Sequence, residues 1–264
     1  MMDYKVDYHI HSYYSDGTMS PTEIVKKYNS EEYDIISITD HDGIDGVREG
    51  MIAGDALNLK VVPGIELSTD YEGLDFHILG YHIDIENEDL LTTLNKLKEY
   101  RRNRNRKLVE ILRNKGYDID IEKIENSNRS KYVGKPNIAR ELVAKGYISE
   151  YNEAFDSEEF FRSKEITGLK KKKLSSVEAI ELIRTAGGIP VLAHPGKIKG
   201  IGDKTGEEYW QKLDQIIYSL KKAGLKGLEC YYPAHSPEDT FKYVQLSEKY
   251  HLHITTGSDF HGDK

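Results

Sequence analysis

Histidine placement carries most of the chemical information in this chain. Ten histidines occur in 264 residues, and six of them, with three carboxylates, fall at the C-terminal ends of nearly every predicted strand. His9 and His11 lie two apart at the end of the first. Residues i and i+2 of a strand project to one face, so both imidazoles reach one ion. Asp16 follows in the next loop, in HSYYSDG. His41 lies just past the second strand in TDHDG, and Glu66 ends the third in PGIELS. His77 lies in the fourth. His194 ends the fifth in LAHPG. Asp259 and His261 follow the last in GSDFHG. Packing imidazoles and carboxylates together without cations carries desolvation and repulsion costs that divalent ions remove. Mixed nitrogen and oxygen ligands point to zinc, manganese or iron in preference to calcium or magnesium alone. Nine ligands are too many for one ion, and Glu66 could bridge two, so two or three ions are expected. Such a site makes hydroxide near neutral pH and clamps phosphoryl oxygens, which suits phosphate ester hydrolysis.

The elements that must hold these groups alternate. Lys5–His11, Asp34–Thr39, Lys60–Leu67, Leu74–Ile83, Ile189–Ala193, Gly227–Tyr232 and His253–Gly257 read as seven strands. The short polar stretch Ser68–Gly73 makes the third and fourth a hairpin, because a parallel crossover needs a dozen or more residues. Helices are expected over Pro21–Asn29, with Ser20 as cap, and over Ile44–Leu57, Ser175–Ala186, Gln211–Ala223 and Pro237–Tyr250. This alternation predicts an α/β layered fold or barrel, whose strand ends converge on one mouth. Residues 87–164 differ: they are polar, rich in helix formers and poor in strand signal. Leucine and isoleucine recur at helical spacing over Leu90–Lys115, and shorter helices are expected at Asn137–Lys145 and Ser157–Ser163. The division is therefore a barrel domain of 1–86 and 165–264 and an inserted helical cap of 87–164.

Bulk composition narrows the function classes. A net charge of −8 does not suit a general duplex-binding protein. The basic runs Arg101–Lys107 and Lys170–Lys173 read as a solvated helix face and a solvated or phosphate-contacting loop. No apolar run is long enough to span a bilayer, and MMDYKVDYHIHS shows neither part of a secretory signal. A lone cysteine, Cys230, fits a reducing cytoplasm.

The pieces DYHIHSYYSDG, ISITDHDGIDG, VPGIELST, FHILGYHID, VLAHPG and TTGSDFHG, in this order, resemble the PHP (polymerase and histidinol phosphatase) family over nearly the whole chain. The resemblance implies a distorted seven-stranded (β/α) barrel with a trinuclear metal site. It implies His9, His11, Glu66 and Asp259 as ligands of one ion. Glu66, His77 and His194 are implied for a second, and Asp16, His41 and His261 for a third. Manganese, zinc or iron is expected, and magnesium is compatible. Asp40 and Asp42 flank His41 and read either as groups orienting imidazoles or as solvated acids. His235, in YYPAHS, is a candidate to protonate a leaving group or touch substrate. Glu229 faces either the mouth or the core.

Within the family, the insert resembles that of phosphoesterases acting on nucleoside 3′,5′-bisphosphates or on 5′ ends of short oligonucleotides. The matching stretch is VGKPNIARELVAKGYIS. Relatives usually carry arginine and histidine where this chain has Lys135 and Asn137. Lys135 keeps the charge but loses the bidentate fork, and Asn137 cannot serve as a general acid. Lys135, Asn137 and Arg140 are the candidate substrate contacts. The expected partner is a small phosphorylated substrate of nucleotide type, or a short single-stranded oligonucleotide. The rival readings are a histidinol-phosphate phosphatase, a processive 5′→3′ exonuclease and a metal-stabilised binding module without turnover.

Overall fold

A computed structural model describes residues 4–127 and 133–262. Two compact units are present: residues 1–94 with 173–264, and residues 95–172. The insert boundaries expected from composition were 87 and 164.

The first unit is an α/β barrel that is nearly closed. Its first half runs β1 (Val6–Ile10), α1 (Pro21–Ser30), β2 (Ile35–Ile38), α2 (Val47–Leu57), β3 (Lys60–Tyr71) and β4 (Leu74–Tyr81). α3 (Glu88–Asn114), α4 (Ile121–Ser127), α5 (Lys135–Ala144), α6 (Glu153–Asp156) and α7 (Lys164–Thr167) follow. The chain then returns as β5 (Leu174–Ser175), α8 (Ser176–Thr185), β6 (Ile189–Leu192), a 3-10 turn (Pro195–Lys197), α9 (Glu207–Ala223), β7 (Gly227–Tyr231), α10 (Pro237–Lys249) and β8 (His253–Thr256). Seven strands lie in the order β1-β2-β3-β4-β6-β7-β8, and β5 pairs with β3 off this path. The ring closes where His11 N donates to Phe260 O at 2.8 Å and Phe260 N donates to His9 O at 3.3 Å.

Local chemistry explains the ends of these elements. Ser20 Oγ accepts from Glu23 N at 3.1 Å, and Glu23 Oε2 accepts from Ser20 N at 2.7 Å, a reciprocal cap on α1. Ser175 and Glu178 repeat it on α8 at 3.2 and 2.7 Å. Such a cap contributes about 1 kcal/mol. The β3–β4 connection is tighter than its polar sequence suggests. Ser68–Tyr71 continue the strand, and only Glu72 (φ 52°) and Gly73 (φ 85°) turn. Two successive residues in the left-handed region give the hairpin twist that matches the strands. β4 is therefore antiparallel to both β3 and β6, while β1-β2-β3 and β6-β7-β8 run parallel. This reversed strand is the distortion in the barrel. It places the start of β4, with His77, beside the far part of β3.

Two differences from expectation have clear causes. β5, two residues long, is too short to leave a periodic signal. Ser157–Ser163, expected to be helical, forms turns between α6 and α7. Phe160 and Phe161 are both buried there, and Ser163 serves as the N-cap of α7, its Oγ accepting from Ile166 N, so the segment ends where that helix begins.

Apolar side chains of β1, β2 and α1 (Ile10, Ile36, Ile38, Ile24, Val25, Tyr28) make one core cluster of the barrel unit. The second unit has its own core, in which Leu108 and Leu112 of α3 join Ile138 and Leu142 of α5. Among the described residues no helix is long and apolar enough to cross a membrane. Cys230 is buried in β7 with Sγ 3.2 Å from Ser247 Oγ, and burial pushes its thiol up to about 12. Folded protein is thus expected to resist a thiol reagent at about pH 8 and to consume one equivalent only after denaturation. A full native-state reaction would show that β7 opens in solution.

Candidate metal centre

Glu66 is the centre of the site. It projects from β3, is fully buried, and has five imidazole nitrogens within 3.4 Å of its carboxylate. Oε1 lies 2.8 Å from His77 Nδ1, 3.0 Å from His194 Nε2 and 3.4 Å from His9 Nε2. Oε2 lies 2.9 Å from His41 Nδ1 and 3.3 Å from His11 Nε2. The i, i+2 pair behaves as strand geometry requires: His9 Nε2 and His11 Nε2 stand 3.1 Å apart. Asp259 Oδ1 approaches them at 3.4 and 3.2 Å. On the other side of His11, Asp16 lies 3.3 Å from His261 Nε2 and 3.7 Å from His41 Nε2.

All nine residues singled out by sequence therefore meet in one place. Three sets have their ligand atoms mutually within 4.8 Å: His9, His11, Glu66 and Asp259; His11, Asp16, His41 and His261; and His41, Glu66 and His77. The first is the set the resemblance implied. The second adds His11 to the implied Asp16, His41 and His261, and the third has His41 in place of His194, because His41 reaches Glu66 through Nδ1 and Asp16 through Nε2. A neutral imidazole has one lone pair to give, so His41 serves one of the two positions. With His41 turned to Asp16, His77 and His194 remain on Glu66 Oε1.

Divalent cations fit these residues. Asp16 Oδ1, His41 Nδ1 and Glu66 Oε2 are buried without a hydrogen-bond partner, at a cost of about 1–3 kcal/mol each if nothing else met them. Burial alone would raise the pKa of Glu66, but His77, His41 and His9 outweigh it and hold the carboxyl well below its usual range. Burial likewise opposes the low pKa of Asp259, which His11 and His9 enforce. Burial lowers the pKa of His11, yet Asp259 and Glu66 override it and push it up to about 10. The carboxylates thus demand positive charge, and nitrogen and oxygen donors of this kind suit borderline divalent metals.

Two of the nine site residues carry backbone strain. His194 (φ 23°) and Asp259 (φ 55°) both sit in the left-handed region, which costs about 1–3 kcal/mol per non-glycine residue. The parts of the fold that aim these two side chains hold them against that cost.

Groups behind the cluster fix its orientation. Glu229, whose direction was open from sequence, points inward and is fully buried. Its Oε1 accepts from His9 Nδ1 at 2.9 Å, and its Oε2 accepts from His194 N at 2.6 Å. Asp40 accepts from Ser12 N, Ser12 Oγ and Ser15 Oγ at 2.8, 2.6 and 2.5 Å, and Ser15 Oγ lies 3.4 Å from His11 Nδ1. Asp40 therefore acts on His11 through Ser15, and not on its neighbour His41. Asp42 accepts from Ser68 N at 2.8 Å and ties the loop to β3.

The cluster opens into a cleft of about 500 Å³ lined by His41, His77, His194, His261, Lys197 and Lys199 among others. Lys197 Nζ bonds Asp259 Oδ2 at 2.6 Å. Burial would lower the pKa of Lys197; the bond to Asp259 outweighs this and raises it. His235 plays a different part from the expected proton donor. Its Nδ1 lies 2.9 Å from Cys230 O and its Nε2 accepts from Gly196 N at 3.2 Å. With both ring nitrogens engaged by backbone, His235 holds the loop after His194 in this arrangement.

The candidate substrate contacts of the insert have local tasks in the second unit. Lys135 is half-buried, with Nζ 5.2 Å from the Phe161 ring centroid, and burial with nearby Arg104 lowers its pKa. Asn137 Oδ1 accepts from Gly134 N at 2.9 Å and caps α5. Arg140 lies 6.0 Å from the Tyr151 ring centroid. In the basic runs, Arg102 pairs bidentately with Glu125 at 2.9 and 2.6 Å, and Lys172 packs 4.2 Å over Tyr100. His82, His251 and His253 are exposed, as expected of residues outside the site.

A barrel mouth carrying six histidines and two aspartates around one buried glutamate defines a class, the metal-dependent hydrolases. The family model described as PHP domain matches residues 7–232, and the chain belongs to the PHP family, whose members are metal-dependent phosphoric ester hydrolases. A 5′-3′ exoribonuclease of Haemophilus influenzae is 28% identical over 260 residues, covering 98% of this chain and 91% of that protein. A 3′,5′-nucleoside bisphosphate phosphatase of Chromobacterium violaceum is 27% identical over 261 residues, covering 97% and 87%. The structure of a protein from Bifidobacterium adolescentis assigned as a metal-dependent phosphoesterase superposes with a TM-score of 0.83. It is 25% identical, and the match covers 98% of this chain and 88% of that one.

Proposed function

We propose that the chain hydrolyses a phosphate monoester of a nucleotide-type substrate: a nucleoside 3′,5′-bisphosphate or the end of a short oligonucleotide. The observation that carries the hydrolytic reading is the Glu66-centred cluster opening into a cleft edged by Lys197 and Lys199. The nucleotide reading rests on relatives of 27–28% identity that match 97–98% of the chain.

His9, His11, Glu66 and Asp259 would hold one ion. Glu66, His77 and His194 would hold a second, and Asp16, His41 and His261 a third, with manganese, zinc or iron as the metal. Bound there, divalent ions supply Lewis-acid charge for phosphoryl oxygens and make water acidic enough to attack near neutral pH. The residues do the rest. Glu229 and the Asp40–Ser15 pair keep His9 and His11 in the tautomers that turn lone pairs inward. The cleft walls orient the ester for in-line displacement. Water oxygen bonds to phosphorus and releases a proton to solvent, the ester P–O bond breaks, and the departing oxygen takes a proton from solvent. The products are an alcohol and inorganic phosphate.

The test is phosphate release by manganese-reconstituted protein from adenosine 3′,5′-bisphosphate, a 5′-phosphorylated oligonucleotide and histidinol phosphate. A kcat/KM about tenfold or more higher on a nucleotide substrate is expected, since that ratio measures discrimination. A preference for histidinol phosphate would overturn the substrate reading. Metal-loaded, folded protein that releases phosphate from none of them is a binding module.

A further inference from the structure

The group that sequence offered for protonating a leaving oxygen is otherwise engaged, and the residue that stands where relatives carry histidine is chemically unable. His235 has both ring nitrogens on backbone groups, and Asn137 has no titratable proton. An ester oxygen that departs next to this cluster still develops negative charge, which something must stabilise.

Lys197 is placed for that task. It lines the cleft, and its side chain is about half exposed toward it. Its ammonium group lies 2.6 Å from Asp259 Oδ2, while Asp259 Oδ1 faces His9 and His11 at 3.4 and 3.2 Å. A single carboxylate therefore separates this fixed positive charge from the inner edge of the cluster. The position is built and not incidental. Tyr232 OH donates to the same Oδ2 at 3.1 Å, and the Tyr232 ring lies 5.0 Å beneath Nζ. The backbone is held as well: Lys197 N donates to His194 O at 2.8 Å, and Gly196 N is fixed on His235. A side chain at residue 196 would strike the His235 ring, so the close fit needs glycine there.

We propose that Lys197 is a further catalytic residue: its ammonium group, anchored on Asp259 and Tyr232, contacts the leaving-group oxygen of the ester and stabilises its charge. This rests on the phosphoesterase reading above. Lys197 donates no proton in the step; the departing oxygen is protonated by solvent.

The test compares Lys197→Ala and Lys197→Arg with wild type, all reconstituted with manganese, on an alkyl phosphate and on 4-nitrophenyl phosphate. An alkoxide leaves poorly without help, whereas nitrophenolate needs little. Lys197→Ala is expected to lose about 100-fold in kcat on the alkyl ester and less than about fivefold on the aryl ester, a loss confined to the transition state. Metal content per chain, read by mass spectrometry, stays at the wild-type value, and Lys197→Arg recovers most of the alkyl activity. Equal losses on both esters overturn the proposal, as does a fall in metal content that tracks the lost activity. In those cases Lys197 serves Asp259 alone. Wild type inactive on both esters, with its metal in place, sinks the phosphoesterase reading instead.

Discussion

Glu66→Gln is expected to lower kcat/KM on any phosphate ester by about 1,000-fold or more, because it strips charge from the centre of a metal-dependent site. The change is isosteric, so packing around β3 is kept. What is lost is the negative charge that faces five imidazoles and belongs to two of the three sets of ligand atoms. A carboxylate can bridge two ions with its two oxygens. An amide offers one oxygen and turns its NH₂ toward cations it repels. Metal content per chain should therefore fall together with activity, while circular dichroism and thermal unfolding show a folded protein. Wild-type metal content with wild-type turnover in this variant would falsify the central role of Glu66.

Much of this arrangement was legible in the sequence, for reasons that differ by residue. His9 and His11 follow from the period of two in strands, and their Nε2 atoms meet as that rule requires. The hairpin followed from connection length alone, and with it the reversed β4. The cap of α1 followed from Ser-x-x-Glu spacing, and Ser175 with Glu178 carries the same signal on α8. The extent of β3 was less visible. Ser68–Tyr71 is polar and reads as a turn, yet pairing with β4 carries it through to Tyr71. Glu66 is consequently well inside a 12-residue strand, not at its end. It faces the mouth because β3 outruns the barrel.

The unread part of the site lies where a residue acts through another. Lys197 follows LAHPG with no spacing rule to mark it; only the 3-10 turn brings it back over Asp259. His235 looked reactive because it follows a strand at the mouth. The backbone amide of Gly196 reaches its free nitrogen, and no sequence pattern shows such a contact. Asp40 lies next to His41 in the chain but serves His11 through Ser15, in the loop that follows the neighbouring strand β1. Glu229 had one available signal: an acid inside an otherwise apolar strand, GLECYY. A carboxylate buried on a central strand must find donors, and the donors proved to be His9 and the His194 amide.

That dependence makes Glu229→Ala the second large effect expected. Two hydrogen bonds vanish at once, at 2.9 Å to His9 Nδ1 and 2.6 Å to His194 N. His9 loses the partner that keeps its proton on Nδ1 and its lone pair on Nε2. His194 loses the anchor that steadies a backbone at φ 23°. Removal of such supporting partners typically costs about 10–100-fold in metal affinity. Leaving two buried N–H donors without an acceptor also costs about 1–3 kcal/mol of folding stability each. Chelator competition and urea unfolding would read the two effects separately. The activity pattern should differ from that of Glu66→Gln. Glu229 lies behind the imidazoles, so excess metal is expected to restore much of the turnover, whereas it cannot restore a missing bridging carboxylate. Glu229→Gln keeps one acceptor oxygen and should fall between alanine and wild type. Metal affinity unchanged in the alanine variant would mean that strand packing alone sets the His9 ring. The neighbourhood argues the opposite: a side chain at residue 257 would collide with both His9 and the Glu229 carboxylate, so Gly257 leaves room for that pair to meet.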